Sequence, residues 1–458
     1  MTANFLSARE AIQAIRDGEI TSQDLVKSCL DRIVEYDGTI RAWVHLDPDH
    51  ALEQARAADE ARERGFPLGA LHGIPVGIKD IFDTADLPTE MGTPLHAGRT
   101  PSTDATVVEK LREAGAIILG KTVTSELGAA APGKTTNPHD STRTPGGSSS
   151  GSAAAVASFM VPLAVGTQAK GSVIQPASFC GIFGFKPTFG RISRYRVLTQ
   201  SPVMDTVGVF GRTLEDVSLM GEVLMEFDSR DESMQPRARA ALSKIMDAPP
   251  PMEPHLAFVR SPVWEQADES TKDAFRELVS VVSEQVDLVE LPSGFSEAFE
   301  VHRQIFESDL ARKFAREYRD GKDKLSHDLC GMIERGQKVL AVQYNDAIER
   351  IEEFKENLAE VFLEYDAILT PSAPGEAPVG LESAGNPAFC TIWNLCGLPA
   401  LSMPLLQGPA NLPIGVQMVG APGDDGRMLR TANWLLRALD EGQEKVELSE
   451  SKIAGGRN

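Results

Sequence analysis

Apolar and polar positions at the start of the chain follow the spacing of amphipathic helices. Ser7 and Glu10 have the separation of a capping box, and apolar residues follow at helical intervals. A second helical pattern begins at Thr21, so residues 5–36 are predicted to form a helical hairpin. We therefore expect residues 1–66 to be N-terminal helices that pack on the rest of the protein.

From about residue 68 the pattern changes to short apolar runs that alternate with helical segments. These segments are residues 74–78, 105–114, 117–119, 153–158 and 161–165. Their alternation favours an α/β sheet with glycine-rich connections at its edge, where open α/β sheets usually place their sites. Residues 67–228 are therefore predicted to form the core that carries the catalytic motifs.

The second half of the chain is predicted to form a helical elaboration and then the C-terminal part of the core. Residues 229–254 are rich in charge and proline, 256–259 resemble a strand, and 270–285 and 294–364 have charged helical patterns. Strand texture returns at 367–371, and a helix is predicted over 427–439. The predicted units are thus a connection and helical elaboration over 229–365, the C-terminal part of the core over 366–440, and a frayed tail over 441–458.

Charge and cysteine content exclude several classes of function. The chain has 45 basic and 66 acidic residues, a net charge of −21, and this field repels nucleic-acid backbones and anionic lipid surfaces. Its 5 cysteines include no CxxC pair, which argues against a disulfide framework or a structural zinc site. No signal peptide or membrane-spanning run is evident, so we expect a cytoplasmic protein without nucleic-acid or membrane partners.

Three glycine-rich segments carry the candidate chemistry. Residues 73–80 read Gly-Ile-Pro-Val-Gly-Ile-Lys-Asp, 146–152 read Gly-Gly-Ser-Ser-Ser-Gly-Ser, and 171–176 read Gly-Ser-Val-Ile-Gln-Pro. A serine hydroxyl is a poor nucleophile until a base removes its proton, and a lysine can be that base if burial lowers its pKa. With no metal-ligand cluster or nucleotide fingerprint in competition, we expect a cofactor-free hydrolase that works through an acyl-enzyme.

With these segments the chain resembles the amidase signature family, and the resemblance covers nearly all of it. Further matching stretches are Gly-Lys-Thr at 120–122, Asn-Pro at 137–138, Ser-Phe-Cys-Gly at 178–181 and Asn-Leu-Pro-Ile-Gly-Val-Gln at 411–417. The resemblance implies an α/β fold with a mixed central β-sheet covered by helices on both faces, together with a helical elaboration. It also implies hydrolysis of C–N bonds without a metal or organic cofactor.

The resemblance also implies a role for each residue of the candidate site. Ser172 would be the nucleophile, Lys79 the base, and Ser148 the relay serine, which a cis peptide bond precedes in this family. Ser149 would support these residues through hydrogen bonds. The oxyanion hole would consist of the backbone N–H groups of Ala169, Lys170, Gly171 and Ser172.

Departures from the family pattern bear on the substrate. The family often has Gly-Thr-Asp-Thr-Gly-Gly-Ser-Ile-Arg here, whereas this chain has Gln168 for the aspartate, Lys170 for a glycine, and Ile174 and Gln175 in place of a cation. We therefore expect a small neutral amide, or a carbamate (urethane), as the substrate. Either the Lys170 side chain points outward and only its N–H serves the site, or its ammonium approaches Lys79.

The motifs do not identify the residues that line the substrate pocket. Candidate substrate-binding residues, each of which has a core role as its alternative, are Met91, Leu127, Ile174, Gln175, Phe389, Ile392 and Trp393.

Two other functions remain open at this point. The chain could be the glutamine-hydrolysing subunit of a tRNA-dependent amidotransferase, which would require a partner, although the missing arginine and aspartate count against it. It could also be a non-catalytic binding protein on the same fold, against which Lys79, Ser148 and Ser172 argue. Without a partner, we expect a monomer or a homodimer.

Overall fold

This computed structural model describes residues 2–455, and the side chains of residues 2–441. In this part of the chain, the strands of one mixed sheet are β1 (Trp43–Leu46), β2 (Pro75–Lys79), β3 (Ile117–Thr122), β4 (Leu163–Gln168), β5 (Phe183–Lys186), β6 (Thr206–Gly211), β7 (Leu256–Arg260), β8 (Val286–Glu290), β9 (Ala367–Pro371), β10 (Ala400–Gln407) and β11 (Pro413–Val419). Their order across the sheet is β1-β3-β2-β4-β6-β5-β10-β11-β9-β7-β8.

Helices precede, connect and cover these strands. They are α1 (Ala8–Asp17), α2 (Ser22–Ile40), α3 (Pro48–Glu63), α4 (Thr106–Glu113), α5 (Ser150–Ala157), α6 (Ile174–Cys180), α7 (Leu214–Leu224), α8 (Leu242–Asp247), α9 (Glu269–Val281), α10 (Ala298–Lys313), α11 (Ala315–Gly321), α12 (His327–Gly336), α13 (Ala341–Glu364), α14 (Ala388–Leu395) and α15 (Asp425–Gly455).

Helices cover both faces of the sheet, as predicted. Successive residues of a strand point to opposite faces, so two neighbours in β5 identify what covers each one. Gly184 faces Ala177 of α6, whereas Phe185 lies against Gly221 of α7. The close approach at Gly184 leaves no room for a side chain, which explains the glycine at this position.

The pairing of β2 with β4 determines where the site forms. These strands are parallel, with Ile78 opposite Val165, and every residue of both strands is buried. Because the carboxyl ends of parallel strands meet at one edge, Lys79 at the end of β2 lies beside the end of β4 and the loop that follows it. The segment that carries Lys79 and the loop after β4 therefore meet at one edge of the sheet.

The predicted elaboration is helical but not entirely so. Helices α10, α12 and α13 share an apolar cluster with residues of α14 and of the loop after β4. Strand β8 was not predicted, because it lies at the edge of the sheet and its alternation is interrupted by the exposed Asp287 and Leu288. Residues 229–365 thus contribute β7 and β8 to the same sheet as well as the helices.

The ends of the chain form longer helices than predicted, and residues 1–66 also contribute strand β1 to the sheet, because Trp43–Leu46 pairs with β3. Both α1 and α2 begin with capping boxes, at Ser7 and at Thr21. The closing helix, expected over 427–439, extends to Gly455. Most of the predicted tail therefore belongs to α15, and residues 456–458 lie outside the described residues.

Candidate active site

Lys79 lies at the centre of the candidate site with its side chain completely buried. Its ammonium nitrogen contacts three hydroxyl groups: Ser148 Oγ at 2.7 Å, Ser149 Oγ at 3.0 Å and Thr167 Oγ1 at 3.0 Å. A hydroxyl can accept a hydrogen bond from an ammonium or donate one to a neutral amine. The three partners can therefore accommodate Lys79 in either protonation state.

Burial also brings the ionisation of Lys79 close to neutrality. Desolvation lowers the pKa of Lys79 to about 7, and the carboxylate of Asp205 acts in the opposite direction. Asp205 is itself buried, and burial raises its pKa. The backbone N–H of Gln200 donates to Asp205 Oδ2, and Oδ1 has no hydrogen-bond partner among the described residues. A proton acceptor that ionises near pH 7 is suited to general-base chemistry.

The segment before α5 supplies two of the three hydroxyls. The peptide bond between Gly147 and Ser148 is cis, as the resemblance implied. Ser149 Oγ also bonds the backbone of Thr167, donating to the carbonyl oxygen and accepting from the N–H, both at 3.3 Å. Ser149 therefore links Lys79 to strand β4. The hydroxyl of Ser148 has Lys79 as its hydrogen-bond partner among the described residues.

Ser172 lies in the loop between β4 and α6 and is partly exposed. Gln168 Oε1 accepts hydrogen bonds from the N–H groups of Val173 and Ile174, at 2.9 and 3.0 Å, and so fixes the end of this loop. The Ser172 hydroxyl has no hydrogen-bond partner among the described residues. Gly146 packs against Pro176, which brings the two serine segments together.

The nucleophile loop also carries unused backbone donors. In the described part of the chain, no acceptor is bonded to the N–H of Ala169, Lys170, Gly171 or Ser172. Buried backbone donors are nearly always paired in folded proteins. These four consecutive free donors, the last of which belongs to Ser172 itself, are therefore suited to bind an anionic oxygen.

Lys170 packs its side chain on the helical elaboration and is not among the groups that shift the pKa of Lys79. Its ammonium lies 4.6 Å from the centre of the Phe306 ring on α10, and burial lowers its pKa. Lys170 is not among the residues with positive φ, so its backbone is not strained by carrying a side chain.

Five of the seven pocket candidates share one apolar cluster, and the other two lie in separate surroundings. Phe389 packs with Val263 and Ala267, and Gln175 lies beside Gly385. The others lie with Ala169 in one buried apolar cluster next to the nucleophile loop: Met91, Leu127, Ile174, Ile392 and Trp393.

The cysteines, the acidic and histidine side chains and the helices bear on three further predictions. All five cysteines are free and buried. Within residues 2–441, no group of three or more His, Cys, Asp and Glu side chains could hold a metal ion. None of the described helices has both the length and the apolar character needed to cross a membrane.

Sequence reasoning missed several residues that the fold brings to this site, among them Thr167, Asp205, His302 and Asn394. Thr167 could have been found, because it precedes Gln168 in the nucleophile segment and its hydroxyl bonds Lys79. Asp205 and His302 lie far away along the chain, and His302 Nε2 bonds the carbonyl oxygen of Ala169 at 2.9 Å. No local pattern marks either of them.

Comparisons with known proteins identify the family to which this chain belongs. The Amidase family model matches residues 24–429. Among relatives, the A subunit of glutamyl-tRNA(Gln) amidotransferase from Chloroflexus aggregans is 34% identical over 97% of this chain and 99% of its own length. Its counterpart from Thermobifida fusca is 35% identical, over 92% of this chain and 93% of its own length.

Solved structures show the same fold. Peptide amidase of Stenotrophomonas maltophilia has a TM-score of 0.84 at 26% identity, covering 94% of this chain and 96% of that one. A 6-aminohexanoate cyclic dimer hydrolase has a TM-score of 0.85 at 24% identity, covering 95% and 97%, and this likeness concerns the fold alone. Both of these relatives are amidotransferase subunits, and neither is a urethane-cleaving enzyme. From the matched family model and the full-length relatives, this chain belongs to the amidase signature family of enzymes that hydrolyse C–N bonds of amides.

Proposed function

We propose that this chain hydrolyses an amide through an acyl-enzyme on Ser172. The observation that carries the proposal is the environment of Lys79, which is buried, has its pKa lowered to about 7, and contacts Ser148 Oγ at 2.7 Å. A lysine in these surroundings can be neutral at pH 7 and can accept a proton through a hydroxyl.

The reaction follows from these groups in two halves. Ser172 Oγ attacks the carbonyl carbon while its proton passes to Ser148, and the proton of Ser148 passes to Lys79. The free N–H groups of residues 169–172 hold the resulting oxyanion. Lys79 then returns the proton through Ser148 to the leaving nitrogen, the C–N bond breaks, and the amine departs.

Water completes the cycle by the same route. It attacks the acyl carbon and gives a proton to Lys79 through Ser148, and this proton returns to Ser172 when the acyl–oxygen bond breaks. The products are an amine and a carboxylic acid.

For the substrate, the relatives favour glutamine. Full-length similarity to the A subunits of amidotransferases supports a chain that releases ammonia from the glutamine side chain and works beside a partner protein. On this reading the partner, rather than this strongly acidic chain, would contact tRNA.

The nucleophile segment favours a second candidate, a small neutral amide. Ile174 occupies the position where some family members have a carboxylate-binding arginine, and it is buried and apolar. Gln168 Oε1 already accepts two backbone hydrogen bonds. A carbamate presents the same carbonyl and nitrogen, so it belongs to the same test.

The substrates can be separated with purified protein and two variants. We would measure release of 4-nitroaniline from an N-aryl amide and from the matching carbamate, and release of ammonia from glutamine with and without candidate partner proteins. Ser172→Ala should abolish every activity. Ser150→Ala is the matched control, because the Ser150 hydroxyl has no hydrogen-bond partner among the described residues, and it should retain activity.

Each outcome of these assays supports one of the candidate functions or contradicts the proposal. Glutamine hydrolysis that requires a partner would support the amidotransferase function, whereas partner-free anilide cleavage would support the neutral-amide hydrolase. Activity that survives in Ser172→Ala would contradict the proposal. Failure of Ser172 to react with a serine-directed phosphonate would favour a non-catalytic binding protein.

A further inference from the structure

We infer that helices α10 and α14 position the oxyanion hole, through His302 on α10 and Asn394 on α14, two positioning residues that hold the peptide group between Ala169 and Lys170. The carbonyl oxygen of Ala169 accepts hydrogen bonds from His302 Nε2 at 2.9 Å and from Asn394 Nδ2 at 2.7 Å. Both side chains are buried, at 2% and 1% exposure. This inference rests on the acyl-enzyme chemistry proposed above.

The chemistry of the contact defines the state of His302. A carbonyl oxygen can only accept, so Nε2 must carry the hydrogen. Burial lowers the pKa of His302 to about 3, and the nearby Lys170 ammonium acts in the same direction. His302 is therefore a neutral donor throughout the working pH range, and it can hold the carbonyl without taking part in proton transfer.

Holding this carbonyl also orients a proposed catalytic donor. The Ala169 carbonyl and the Lys170 N–H belong to one planar peptide unit and point in opposite directions. Two hydrogen bonds on the oxygen fix the direction of the N–H and increase its polarity. The N–H has no acceptor among the described residues, so it remains available for the oxyanion.

The same helix also holds the side chain of Lys170. His302 and Phe306 are four residues apart on α10, their rings stack with centroids 5.6 Å apart, and the Lys170 ammonium lies over Phe306. Helix α10 thus contacts the peptide group between Ala169 and Lys170 and also the side chain of Lys170. Because α10 packs on α12 and α13, the elaboration is coupled to the catalytic loop.

The test uses two variants of His302. His302→Leu removes the donor at similar size, whereas His302→Gln keeps an N–H that can reach the position of Nε2. We expect kcat of His302→Leu to fall by about 10- to 100-fold, with KM within about twofold, because a displaced oxyanion donor acts on the transition state. His302→Gln should recover most of this loss.

Controls separate positioning from packing. Gln304→Leu on the same helix changes a residue whose side chain bonds Glu300, and it should leave kcat unchanged. Asn394→Leu removes the second donor and should lower kcat in the same way, so it replaces His302→Leu if that variant does not fold. Equal losses in His302→Leu and His302→Gln, or losses that follow the melting temperature, would overturn the inference.

A phosphonate that reacts with Ser172 separates this inference from the proposed function, since it needs the nucleophile and the oxyanion hole but not the natural substrate. A wild-type protein that does not react would contradict the proposed function. A wild type that reacts, together with a His302→Leu variant that reacts at the same rate, would overturn only the positioning role.

Discussion

Two buried lysines of this protein, Lys79 and Lys186, have the same degree of burial and different surroundings. Both side chains are completely buried, and burial lowers the pKa of each to about 7. Lys79 contacts three hydroxyl groups, whereas Lys186 donates to the carbonyl oxygens of Pro187 and Leu398, at 3.0 and 2.5 Å.

The two surroundings differ in whether a partner can donate a hydrogen bond to the lysine when its amine is neutral. A carbonyl has no hydrogen to donate to the lone pair of a neutral amine, but a serine hydroxyl has one. Lys186 can therefore hold two chain segments together, while Lys79 can exchange a proton with Ser148. Burial sets the pKa of both groups, and the type of partner determines which of them can act as a base.

The largest expected effect comes from removing each lysine in turn. Lys79→Met should lower kcat/KM by about 10²–10⁴-fold, the usual contribution of a general base. Lys186→Met should leave kcat/KM within a few-fold but lower the free energy of unfolding, by about 1–3 kcal/mol for each carbonyl left unpaired. Steady-state kinetics and chemical denaturation of both variants would check this, and equal losses of activity would break the comparison.

A smaller contrast separates the two serines that contact Lys79. Ser148→Ala should lower kcat by about 10²–10³-fold, because Ser148 is the proposed proton relay. Ser149→Ala should cost only about tenfold, since Ser149 acts as a structural hydrogen bonder between Lys79 and Thr167. Single-turnover rates would measure both, and a larger loss in Ser149→Ala would reverse the assigned roles.

Asp205→Asn should change the pH dependence more than the maximal rate. The Asp205 carboxylate raises the pKa of Lys79, so its removal should move the acid limb of the rate profile to lower pH. The introduced amide would retain an acceptor for the Gln200 N–H, and we expect less than about a tenfold change at pH 8. An unmoved acid limb would mean that Asp205 does not influence the base.

The smallest effect is expected at a third lysine. Lys170→Gly keeps the backbone N–H proposed for the oxyanion hole and removes an ammonium that packs on Phe306. Activity should stay within about threefold of wild type, because a part-buried cation–π contact contributes only about 1 kcal/mol. A much larger loss of kcat would show that the Lys170 side chain takes part in the reaction.

The sequence predicted the edge of the sheet at which the site forms, but not all of its residues. Lys79, Ser148 and Ser172 lie in glycine-rich segments that the chain pattern already marks, and the parallel pairing of β2 with β4 explains why Lys79 meets Thr167. Local pattern extends only over neighbouring residues. Asp205, His302 and Asn394 reach the site through long-range packing, which periodicity and composition do not encode.

The pocket candidates illustrate the same limit. Phe389 and Trp393 lie on one short helix, yet Phe389 packs with Val263 and Ala267 while Trp393 joins the cluster beside the nucleophile loop. Their helical positions predict burial for both but not the neighbour that buries each one. Which neighbours bury Phe389 and which bury Trp393 depends on where α10 and the segment before α9 pack.

The most direct test of the account is the pH dependence of kcat/KM for amide cleavage between pH 5 and 9. If Lys79 is the base, activity should fall by about tenfold per pH unit below an apparent pKa near 7, because the protonated lysine cannot accept the proton of Ser148. Activity that remains flat down to pH 5 would contradict the assignment of Lys79 as the base.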